Sequence, residues 1–193
     1  MRASTDTRNA ERRSNGATTG TAAGRSRCSP GPHALTALPN AGDGFGWARN
    51  PRHIHAAEAV TDVTLLSWPR MVAEEVNVAD RTVGPRILAL LFDQFVESQN
   101  HMLLLGRLHA TERLATFLLA RAQRHGHNSD HCGWFPLPIQ RRDISDHLGL
   151  SLETVSRTMH DLKRRGLIDF AVGKSMQIRM PDKLERLANC CGD

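Results

Sequence analysis

Residues 148–166 read LGLSLETVSRTMHDLKRRG, one stretch carrying an apolar and a polar stripe at helical spacing. Leu152, Val155, Met159 and Leu162 recur every three or four residues and are expected to face a core. Glu153, Ser156, Arg157 and His160 line the opposite side. Just upstream, Arg141–Leu148 (RRDISDHL) places Ile144 and Leu148 four apart, and Gly149 follows where a tight turn between helices needs positive φ. Ser145 is small enough to let the two helices approach closely. This spacing predicts a helix-turn-helix.

The outer face of the second helix has a definite chemistry. An arginine in a major groove donates two parallel hydrogen bonds to guanine O6 and N7, a glutamate accepts from cytosine N4, and a serine hydroxyl suits either kind of partner. Glu153, Ser156 and Arg157 are therefore the base-reading candidates. Taken alone, Glu153 and Arg157 also fit an ordinary i,i+4 surface ion pair. The full spacing from Ile144 through Gly149 to Val155 favours DNA binding.

Residues 167–171 (LIDFA) and 176–180 (MQIRM) alternate in polarity around Val172-Gly173-Lys174-Ser175, which reads as a hairpin turn. A two-stranded hairpin after such a helix is a wing. Lys174 at its tip is placed to meet phosphate, or is simply a solvated turn lysine. Residues 134–139 (WFPLPI) hold too much proline for a central strand and predict a short edge strand.

A second long helix is expected over residues 85–106. Leu88, Phe92, Phe95, Gln99 and Met102 alternate by four and three as a heptad seam, and Ile87 and Leu91 widen it. Such a face needs a partner. Pro85 suits the first turn of this helix rather than its interior. Residues 109–124 predict the next helix, with Leu114, Phe117 and Leu118 inward and Arg113, Arg121 and Arg124 outward.

RDISDHLGLSLETVSRTMHDLKRRGLI resembles the DNA-binding domain of the CRP/FNR regulators, and Glu153-x-x-Ser156-Arg157 resembles the FNR and FixK branch. Residues 99–107 (QNHMLLLGR) and 110–119 (ATERLATFLL) resemble the end of that family's dimer helix and the helix after it. Residues 42–46 with 56–64 are similar to the last strands of its sensor β-roll. The likeness covers about residues 41–193 and is strongest over 99–168.

The resemblance implies a homodimer joined through Leu88, Phe92, Phe95, Gln99 and Met102, bound to double-stranded DNA at palindromic half-sites of the TTGAT type. Arg157 would sit on guanine and Glu153 on its paired cytosine. Gln140 stands where the family often has a Ser or Thr helix cap, so it caps less well or reaches DNA. Arg141, Arg142, His160, Lys163, Arg164, Arg165 and Lys174 complete the candidates for backbone contact. The resemblance also implies RNA polymerase as a partner and an activator working in the cytoplasm.

The expected fold is mainly α with a small β component: a winged helix-turn-helix after a long dimerisation helix, preceded by a partial β-roll remnant. Its divisions are a disordered tail (1–40), the β-roll remnant (41–70), a linker with the dimerisation helix (71–107) and the DNA-binding domain (108–193). Residues 1–40 are rich in Ala, Thr, Ser, Gly and Arg and lack alternation, which suggests too little apolar surface to offset ordering. An Arg-rich, acid-poor start also fits a transit peptide, the lesser reading.

With 25 Lys+Arg against 20 Asp+Glu, the formal charge is +5, enough to favour encounter with a polyanion. No apolar stretch approaches the ~18 residues of a membrane span. Of the four cysteines, Cys28, Cys132, Cys190 and Cys191, only Cys28 lies near the N-terminus. An FNR-type iron–sulfur cluster, which needs four thiolates, is not expected. Residues 125–132 (HGHNSDHC) are a polar loop or, less simply, a metal-binding or oxidisable site.

Half a roll leaves no enclosed cavity for a cyclic nucleotide, and Arg52, with His53 and His55 beside it, does not resemble the family's phosphate-binding pair. No cofactor or metal is expected. Gly173-Lys174-Ser175 lacks the upstream glycine of a P-loop, and no nucleophile–base pair stands at a useful spacing, so an enzyme is not expected. Two readings remain: a sequence-specific regulator acting as a homodimer, or a sensorless fragment that pairs with intact relatives or is inactive.

Overall fold

The computed structural model describes residues 14–19, 22–26, 34–39, 42–46, 55–69, 82–125, 133–171 and 174–189. The chain divides into two compact units, Met1–Gln99 and Asn100–Asp193. The four cysteines, Arg52, His53 and residues 71–81 lie outside the described residues, and with them the readings placed there.

The described residues of the first unit form six strands: β1 (Ser14–Thr19), β2 (Ala22–Ser26), β3 (Ala34–Ala37), β4 (Gly44–Phe45), β5 (His55–Ala59) and β6 (Thr64–Pro69). They form two antiparallel three-stranded sheets, ordered β4-β1-β6 and β3-β2-β5. Strand β1 pairs with β6 from Ser14↔Pro69 to Thr19↔Thr64, and β2 pairs with β5 from Ala22↔Ala59 to Ser26↔His55. The central strand of each sheet thus comes from the stretch expected to be disordered. The physical reason is that backbone N–H and C=O groups pair across strands whatever their side chains, so small residues can join a ladder without showing alternation. Residues 42–70 are accordingly not the whole β component.

Helix α1 spans Val83–Arg107, with Pro85 in its first turn, where the missing N–H costs nothing. In the first unit the Gln94 side-chain amide donates to the Gly44 carbonyl.

The second unit holds the end of α1, then α2 (Ala110–Arg124), β7 (Trp134–Pro136), α3 (Arg141–Leu148), α4 (Leu152–Arg164), β8 (Ile168–Ala171), β9 (Ser175–Ile178) and α5 (Pro181–Ala188). Glu112 reaches back to accept from the His109 N–H at 2.7 Å, fixing the start of α2. Helix α2 packs on α4 and α5, and α3 packs on α4. Leu114, Leu118, Phe135, Ile144, Leu148, Val155, Met159, Leu162, Ile168, Met176 and Leu184 form the fully buried core. Truncating any one of them to alanine is expected to cost about 2–5 kcal/mol.

Three details differ from the sequence reading. The wing hairpin of β8 and β9 forms as expected but gains a third strand: Trp134–Pro136 pairs with β9, giving the order β7-β9-β8 with the proline-bearing strand at the edge. Leu152 is 49% exposed, because it opens the first turn of α4, before the helix settles onto the core. Two arginines expected outward turn inward: Arg121 is buried, its guanidinium 5.5 Å from the centre of the Phe117 ring, and Arg113 is half-buried, its guanidinium donating to backbone carbonyls.

Candidate nucleic-acid interface

The turn of the helix-turn-helix is built on Gly149, which adopts φ 61° and ψ 37°. In that left-handed conformation its N–H donates to the Ser145 carbonyl, and the Leu150 N–H donates to the same oxygen at 3.0 Å. These bonds satisfy the end of α3. Ser145 itself is buried, its hydroxyl donating to the Arg142 carbonyl at 2.7 Å. A larger side chain there would push α3 away from its neighbours.

Helix α4 starts at a true cap. The Ser151 hydroxyl oxygen accepts from the Thr154 N–H at 3.0 Å, satisfying one of the free donors of the first turn. Val155, Met159 and Leu162 then bury on one face, which fixes the rotation of the helix. Glu153, Arg157 and His160 are consequently exposed, and Ser156 is half-buried beside them.

Positions 153, 156 and 157 are i, i+3 and i+4, so the structure brings the three base-reading candidates onto one surface. The Glu153 and Arg157 side chains are 78% and 77% exposed and form an ion pair with each other. An exposed pair of this kind is worth about 0.2–1 kcal/mol. A bidentate arginine–guanine contact is worth about 1–3 kcal/mol in discrimination. The pair therefore orients both groups without locking them.

The remaining candidates near α4 fall into two sets. Gln140 is exposed at the N-cap of α3 and makes no side-chain cap bond, and Arg141 and Arg142 are exposed in the following turn. Lys174 is exposed at the wing tip with φ 62°. That tip is tied down, since the Leu137 N–H donates to the Lys174 carbonyl at 2.7 Å.

By contrast, Lys163, Arg164 and Arg165 are held by carboxylates. Asp161 pairs with Arg164 and, at 3.6 Å, with Arg165. Asp169 pairs with Lys163 and Arg179, each at 2.9 Å. The Lys163 hydrogen bond is the main reason that the Asp169 carboxyl titrates below its ordinary value, aided by the Phe170 N–H and the Lys163 and Arg179 charges against partial desolvation. This carboxylate joins the end of α4 to both wing strands. The Asp161 pairing was readable from its i,i+3 and i,i+4 spacing. The Asp169–Arg179 pairing was not, because it depends on the register Ile168↔Ile178.

The seam residues of α1 are solvent-facing in the single chain: Leu88 53%, Phe92 60%, Phe95 58% and Met102 61% exposed, with Gln99 exposed between them. Among the described residues, no helix is long and apolar enough to cross a membrane. No group of three His, Cys, Asp or Glu among them is placed to hold a metal ion.

Residues 112–187 match the Crp-like helix-turn-helix domain. The solved structure of FixK2 from Bradyrhizobium japonicum superposes with a TM-score of 0.81 at 34% identity, over 93% of this chain and 89% of that one. The chain belongs to the CRP/FNR family. Within this family it is FixK-like. The nitrogen fixation regulation protein FixK of Azorhizobium caulinodans is 38% identical over 147 residues, covering 76% of this chain and 59% of that protein. FixK of Rhizobium meliloti is 36% identical over 148 residues, covering 77% and 65%. The chain thus spans less than two thirds of the length of these curated relatives. The relatives bear the names of regulators, and this is a family of regulators, not of enzymes.

Proposed function

We propose that the chain is a sequence-specific DNA-binding transcription regulator that reads palindromic half-sites of the TTGAT type as a homodimer. The observation that carries this reading is the joint exposure of Glu153 and Arg157 on α4, opposite the buried Val155, Met159 and Leu162. Arg157 contacts guanine, Glu153 the paired cytosine, and Ser156 a neighbouring base edge. Gln140, Arg141, Arg142, His160 and Lys174 contact the backbone from either side of α4, while Lys163, Arg164 and Arg165 contribute mainly through the field they share with Asp161 and Asp169.

The homodimer rests on the apolar stripe of α1. Leu88, Phe92, Phe95 and Met102 are each more than half exposed, a contiguous apolar surface of the kind that marks an interface. A two-fold axis through that seam presents two copies of α4 to half-sites about one helical turn, ~34–36 Å, apart. RNA polymerase is then the partner of the DNA-bound dimer, in the cytoplasm. A gel shift with the purified chain alone tests the reading. A TTGAT palindrome should shift at concentrations where a shuffled duplex of the same length does not. Equal shifts of both duplexes, or a shift only after an intact relative is added, would overturn it.

A further inference from the structure

The last two turns of α1 in the second unit carry two different surfaces. Met102 and Leu103 are 61% and 56% exposed. His101 and Leu105 instead reach the helix-turn-helix, and Leu104 between them is buried. The His101 imidazole stacks on that of His147, in the last turn of α3, with ring centroids 4.2 Å apart and planes 19° from parallel. The other side of the joint is the ring of Phe117 on α2, tilted against His147 at 5.6 Å.

Arg113 makes a second tie. Its guanidinium donates to three backbone carbonyls: Leu105 at 2.8 Å, Leu108 at 2.8 Å and Leu148 at 3.0 Å. Two of these close the end of α1, and the third is on α3, one residue before the turn. At that turn a Cβ on Gly149 would lie 3.4 Å from Leu105 Cδ2 and 3.7 Å from an Arg113 nitrogen. The helix end, the arginine fork and the turn are in direct contact.

From this arrangement we infer that His101 and Arg113 are positioning residues that set the half-site spacing this protein accepts. The inference rests on the dimeric reading above. Helix α4 begins three residues after Gly149 and is 13 residues long, or ~20 Å at 1.5 Å per residue. A tilt of about 10° at its base moves its far end by about 3.5 Å and Arg157, about 8 Å along the helix, by about 1.4 Å, enough to misplace a bidentate base contact. A joint made of one ring stack and one planar fork resists such a tilt, because both geometries are directional. A lysine in place of Arg113 keeps the charge but cannot bridge three carbonyls with a fixed fork.

The test is competition binding of the full chain to a single half-site and to palindromes whose spacer is the preferred length or one base pair longer or shorter. The wild type should favour one spacer by about tenfold, the weight of roughly one mismatched base pair. His101→Ala and Arg113→Lys should reduce that preference to about threefold or less, with single half-site binding unchanged, while His101→Phe, which keeps a stacking ring, should retain it. Wild-type spacer preference in both His101→Ala and Arg113→Lys would overturn the inference. Equal weakening on every duplex with a lowered melting temperature would also overturn it, in favour of a purely structural role. A wild type that binds the palindrome no better than one half-site would instead refute the dimeric reading, and the inference with it.

Discussion

Replacing Phe95 by aspartate separates the α1 seam from the DNA-reading face. A phenylalanine can bury ~200 Å². Because Phe95 is 58% exposed in the single chain, roughly 120 Å² of that remains to be covered, worth about 3 kcal/mol at ~25 cal/mol per Å². A two-fold interface counts each residue twice, so the substitution removes about 6 kcal/mol, or roughly four decades of dimer affinity, before any cost of burying the carboxylate. Sedimentation equilibrium should therefore show a micromolar Phe95→Asp sample to be monomeric where the wild type is dimeric. Its far-ultraviolet circular dichroism should be unchanged. Binding to the palindrome should fall to that of an isolated half-site. A Phe95→Asp protein that remains dimeric and still prefers the palindrome would show that α1 does not form the seam.

Gly149→Ala forces a side chain into φ 61°, so chemical denaturation should show a loss of about 1–2 kcal/mol; an unchanged midpoint would mean that the turn relaxes. The Asp169 carboxyl titrates below its ordinary value, so its contribution is complete above the usual carboxylate range and is lost as pH falls through the lowered value. Acid titration followed by the Phe170 amide resonance should reveal that step in the wild type and not in Asp169→Asn. Arg141→Ala, Arg142→Ala or Lys174→Ala should each lower the salt slope of DNA binding by about one unit if the side chain meets a phosphate. An unchanged slope in all three would place a different face on DNA.

The helix-turn-helix was legible because its signals are local. Ile144, Leu148, Val155, Met159 and Leu162 repeat at helical spacing, and all five are buried. Gly149 was readable for the same reason, since a positive φ restricts residue choice at one position. Leu152 obeys the same periodicity yet is exposed, because spacing identifies a face but not where along a helix the core begins. Strands β1 and β2 escaped detection because their small side chains give no alternation and their partners β6 and β5 lie far along the chain, and β3 because it pairs only with β2. Helix α5 was missed for a different reason: Pro181 and Asp182 mark its start, but Leu184 is its one buried residue, too little to register as a stripe. Within the candidate site, the one-surface grouping of Glu153, Ser156 and Arg157 followed from spacing. The joint of His101, Arg113 and His147 did not, because it brings together residues from three helices that share no pattern.

Base reading by Arg157 is the claim on which the functional account depends, and Arg157→Ala tests it most directly. Its side chain is 77% exposed and contributes nothing to the core, so the variant should fold as the wild type does. Affinity for the TTGAT palindrome and for a random duplex should be measured side by side at fixed salt. Loss of a bidentate guanine contact should weaken the palindrome by about 1–3 kcal/mol per half-site while leaving random-duplex binding nearly unchanged. Equal loss on the two duplexes, or no loss on either, would contradict the assignment of α4 as the reading helix.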